Sequence, residues 1–94
     1  MLFLEKLYDL KENFTPTKIG GVLPATEVTY IKNHLCLETL NIDDLKNLKD
    51  FSEIYFGSLI DRAKTSLDAF KLNDKLSAIT TVIDERINNL GGEV

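Results

Sequence analysis

Residues 41–72 read NIDDLKNLKDFSEIYFGSLIDRAKTSLDAFKL, and the spacing of their apolar positions decides the fold class. Leu45, Leu48, Phe51, Tyr55, Leu59, Ala63, Leu67 and Phe70 follow one another at steps of three or four. Such steps keep side chains on one face of a helix and would scatter them over both faces of a strand. Asn41 is a good N-cap, and Asp43 and Asp44 fall in the first turn, where the helix dipole favours negative charge. The spacing predicts one helix over about 42–72. Gly57 weakens it by about 1 kcal/mol relative to alanine, but the apolar stripe crosses this glycine without a change of phase. The helix is therefore expected to continue through it, with Gly57 admitting the close approach of another backbone.

Downstream, Leu76, Ile79, Ile83, Ile87 and Leu90 form a second stripe, predicting a helix over about 74–90 that starts at an Asn73 cap and stops at Gly91-Gly92. A chain reversal at Leu72-Asn73 would set Leu76 beside Phe70, Ile79 beside Leu67, Ile83 beside Ala63 and Ile87 beside Leu59. The same register would place Arg62 beside Asp84 and Arg86 within reach of Asp61.

Upstream, Phe3, Leu7, Leu10 and Phe14 share one face of a helix over about 2–13, which Pro16 must end. Residues 15–24, TPTKIGGVLP, hold both prolines and a Gly-Gly pair and read as a loop. The pair does not resemble a double-glycine leader, because the positions four and seven before the cut are Lys18 and Thr15 where leaders carry apolar residues. Residues 26–37 contain good strand formers, but Val28, Ile31 and Leu35 keep helical spacing and Thr26 can cap, which favours a helix. The expected architecture is an all-α single domain over 1–94. In it, a long C-terminal helical hairpin (about 42–72 and 74–90) is covered by two shorter N-terminal helices (about 2–13 and 26–37).

The 94 residues suffice for one core. Fifteen acidic against eleven basic residues leave a net charge of −4 with no basic run, which makes nucleic acid an unfavourable partner. One cysteine, Cys36, forbids an intrachain disulfide and fits a reducing cytoplasm. Glu5 and Lys6 interrupt the apolar start, and no apolar run approaches membrane-spanning length, so neither secretion nor membrane insertion is expected. Nine lysines against two arginines, with many asparagines, have the bias of an AT-rich phage or bacterial genome.

No catalytic constellation is visible. His34 and Cys36 lie about 200° apart on a helix, His34 and Glu38 make an ordinary i,i+4 pair, and no second histidine or cysteine completes a zinc set. Thr65-Ser66-Leu67-Asp68 resembles the phosphopantetheine attachment site of acyl carrier proteins over four residues. Thr65 stands where that family has Asp, however, and Ser66 is expected inside a helix. The chain is expected to be no enzyme and to need no cofactor or metal. The leading expectation is a cytoplasmic protein–protein interaction module that forms a homo-oligomer and acts as an inhibitor, immunity or antitoxin-like protein or adaptor. Its candidate docking residues are Phe51, Ile54, Tyr55, Phe56 and Ile60, the apolar belt around Gly57. The alternative is a small-molecule binder, for a nucleotide or metabolite, using Tyr8, Lys18, Tyr30 and Tyr55.

Overall fold

The computed structural model describes residues 2–92. They form four helices and one short 3-10 turn: α1 (Leu2–Asn13), α2 (Ala25–His34), the turn (Leu37–Thr39), α3 (Ile42–Asp61) and α4 (Ser66–Asn89). The all-α expectation holds: α3 and α4 pack as a C-terminal hairpin, and both N-terminal helices contact α4. Two boundaries inside that architecture differ from those read in the sequence, and each has a physical cause.

The chain reverses over residues 62–65, ten residues before Leu72-Asn73, so the ranges 42–72 and 74–90 become 42–61 and 66–89. Thr65 leaves the helix in an extended conformation, φ −132° and ψ 157°, and its Oγ1 accepts the backbone N–H of Asp68 at 3.1 Å. The Thr-x-x-Asp pattern is thus a helix start, with an acid at the third position to complement the dipole. Ser66, expected inside a helix, is the first residue of α4. Gly57, by contrast, is helical as expected, but no backbone approaches it: a Cβ there would meet nothing within 4 Å.

The register changes with the turn. Lys49 Nζ lies 2.8 Å from Asp84 Oδ1, where the sequence pairing had put Arg62. A Cβ on Gly92 would lie 3.1 Å from Ile42 Cδ1, which fixes the same alignment from the other end. From Lys49, α3 runs twelve residues to Asp61, and the same count back along α4 from Asp84 arrives at Leu72. Residues 66–71 therefore project beyond the end of α3 by about 9 Å, given a rise of about 1.5 Å per residue.

The helix expected over 26–37 ends at His34. Ile31, Leu35 and Leu37 are all fully buried, yet Leu35 and Leu37 would point about 200° apart on a continuous helix. Cys36 resolves the conflict by adopting a left-handed conformation, φ 55°, which redirects Leu37 inward and opens the 3-10 turn. The start also differs: Pro24 holds the cap position and its carbonyl accepts the N–H groups of Glu27 and Val28, so Thr26 is not the cap.

Other local readings hold. Asn41 Oδ1 accepts the Asp44 N–H at 2.8 Å. Gly91 takes φ +85°, and the Gly91 and Gly92 N–H groups donate to the carbonyls of Asn88 and Ile87 in the paired pattern that closes a helix. Gly20 and Gly21, both at positive φ, make a two-residue turn across which Ile19 and Val22 exchange backbone hydrogen bonds. The core joins Leu7, Leu10 and Phe14 from the α1 side, Ile31, Leu35 and Leu37 from the α2 segment, Leu45, Leu48 and Phe56 from α3, and Ala78, Ile79, Val82, Ile83 and Ile87 from α4. Ser52 is buried among them and donates to the Leu48 carbonyl at 2.8 Å. Among the described residues no helix is long and apolar enough to cross a membrane.

Candidate functional site

The docking residues read from the sequence divide by depth. Phe56 is fully buried in the core, and Phe51 and Tyr55 are half-buried against it. Ile60 is also half-buried, and Ile54 alone is open, at 72%. Tyr55 meets Phe56 edge to face, with ring centroids 5.3 Å apart. Burial pushes the Tyr55 phenol above its ordinary value, with Lys11 pulling the other way.

Of the residues considered for a small molecule, Tyr8 and Tyr55 come together. With Leu4 they line a groove of about 360 Å³ between α1 and α3, and the Lys11 ammonium sits 5.4 Å from the Tyr8 ring centre. Tyr30 lies elsewhere, stacked between Phe14 (5.8 Å) and His34 (5.7 Å). Lys18 is also apart, held 2.9 Å from Asp74 of α4.

The polar cluster near Cys36 is built from two elements. His34 Nε2 lies 3.1 Å from the Lys6 carbonyl and 3.4 Å from Asp9 Oδ2, and the Lys6 ammonium lies 2.8 Å from Cys36 Sγ. The i,i+4 pairing of His34 with Glu38 does not form as read, because the helix stops between them. Among the described residues no three His, Cys, Asp or Glu side chains converge as a metal set.

The surface that sequence reasoning missed is the overhang. The sequence stripe predicts Leu67 and Phe70 in the hairpin interior, but the register leaves them past the end of α3, 60% and 67% exposed. Their three-residue spacing puts them on neighbouring sides of the first turns of α4. One turn further on, Asp74 anchors Lys18, which brings the Ile19–Val22 turn, also exposed and apolar, to the same helix. The available signal was the Thr65-to-Asp68 cap, which fixes where α4 begins and hence what lies outside the hairpin.

No protein-family model, curated protein or solved structure matches this chain.

Proposed function

We propose that the protein is a non-enzymatic interaction module that self-associates through the overhang of α4. The observation that carries this reading is the placement of Leu67 and Phe70 on helical turns that α3 does not cover. Large apolar side chains grouped on an unsupported helix end mark an interaction surface more often than a bare monomer surface. A second copy of the chain would bury both residues in an isologous contact, the same patch facing itself. The reading extends to a phage or bacterial inhibitor, immunity or antitoxin-like protein or adaptor that works in the cytoplasm, with the free cysteine suited to a reducing compartment.

Sedimentation equilibrium of the full chain tests this. A mass that rises with concentration from the 10.6 kDa of one chain towards twice that value is expected; a constant monomer mass at every concentration would contradict it.

A further inference from the structure

Five of the eleven basic side chains line one cleft at the hairpin turn: Lys11 from α1, Arg62 and Lys64 from the turn, and Lys71 and Lys75 from α4. Its volume is about 360 Å³. Asp68 is the single acid in its wall, and Glu12 stands beside it, 2.7 Å from Lys11. Subtracting these two acids leaves the cleft a net charge near +3, while six basic against thirteen acidic residues occupy the rest of the chain. Such segregation runs against the mixing that lowers self-repulsion on a folded surface.

Two of the cations are also tethered to backbone carbonyls. The Lys75 ammonium donates to the Lys11 carbonyl, and Arg62 Nε donates to the Ser58 carbonyl at 3.2 Å. Among the described residues, Arg62, Lys64, Lys71 and Lys75 have no carboxylate within ion-pair distance. Burial lowers the Lys75 ammonium from its ordinary value. Glu12 opposes this, while Lys11 and Lys71 reinforce it. An anion entering the cleft would offset that mutual repulsion.

We propose that this cleft binds a small phosphate-bearing molecule, with Arg62, Lys64, Lys71 and Lys75 taking the phosphate groups and Leu72 and Ala63 flanking the organic part. The charge fits a di- to trivalent phosphate better than a single carboxylate. The volume is that of a small-ligand site, and the acidic remainder of the surface disfavours a nucleic-acid strand tracking across it. The assignment of this cleft does not rest on the proposed self-association.

The test is a two-dimensional NMR titration of the full isotope-labelled chain with inorganic pyrophosphate and with ATP, at matched ionic strength. Saturable shifts confined to Lys11, residues 62–64 and residues 68–75 are expected. The double variant Arg62→Gln, Lys71→Gln, whose native-like spectrum verifies its fold, should weaken ATP by at least about tenfold, the loss expected from removing charge-assisted contacts. Lys46→Gln, on α3 outside the cleft, should leave binding unchanged. Linear shifts spread over all lysines, or equal weakening by Lys46→Gln, would overturn the site. A single-stranded oligonucleotide or anionic phospholipid vesicles binding the same residues more tightly than ATP would overturn its assignment to a small molecule.

Discussion

Lys49 on α3 and Asp84 on α4 lie 2.8 Å apart, and this pair fixes the register from which the exposed end of α4 follows. The Asp84 carboxylate, in ion-pair contact, raises the Lys49 ammonium above its ordinary value of 10.5, against partial burial. While Asp84 is a carboxylate, the contribution of the Lys49 charge is therefore present below 10.5 and is lost as the pH rises through the raised value. A double-mutant cycle of Lys49→Ala with Asp84→Asn is expected to give a coupling of about 0.2–1 kcal/mol at neutral pH. The cycle of Arg62→Ala with Asp84→Asn should give none. Coupling in the second cycle and not the first would reinstate the register with a turn at Leu72.

Thr65→Ala removes the acceptor for the Asp68 N–H and should lower stability by about 1 kcal/mol in chemical denaturation. Thr65→Ser retains the hydroxyl and should recover most of the loss. If both substitutions are silent, the cap does not set the start of α4.

Glycine substitutions in the hairpin should act in opposite directions. Gly57→Ala meets open space within a helix and should stabilise by about 0.5–1 kcal/mol. Gly92→Ala would bring its Cβ to 2.8 Å from Ile87 Cγ2 and 3.1 Å from Ile42 Cδ1, so it should lower the melting temperature. A destabilised Gly57→Ala variant would mean that a neighbour packs on Gly57.

Lys75 gives a pH signature of the opposite sign to Lys49. Its folded-state value is lowered, chiefly by burial, so the unfolded chain binds the extra proton and stability rises with pH between the lowered value and 10.5. Below that window the penalty is full. Wild type should gain stability relative to Lys75→Met as the pH climbs towards 10.5, measured by denaturant unfolding at a series of pH values. A difference that stays flat would place Lys75 in bulk-like solvent.

Helical periodicity made the four-helix architecture legible because the three- and four-residue steps of Leu45, Leu48, Ile79, Ile83 and Ile87 record which face is buried. It could not locate the hairpin turn, since Ala63, Leu67 and Phe70 continue the stripe through a place where the chain reverses. Local hydrogen bonding at Thr65 overrode that pattern. Leu35 and Leu37 posed the reverse problem: both are core residues, and a left-handed residue between them is invisible to a periodicity argument. The basic cleft was illegible because its five cations come from three separated segments and gather only when α1, the turn and α4 meet.

What covers Leu67 and Phe70 is measured most directly by sedimentation equilibrium on the variant Leu67→Asp, Phe70→Asp beside Ile54→Asp. Both α4 substitutions fall on exposed positions, as does Ile54, so each protein should keep its helical circular dichroism. The double variant is predicted to remain at 10.6 kDa, while wild type and Ile54→Asp associate towards twice that mass. Association that survives in the double variant and is lost in Ile54→Asp would contradict the assignment and move the interface to α3.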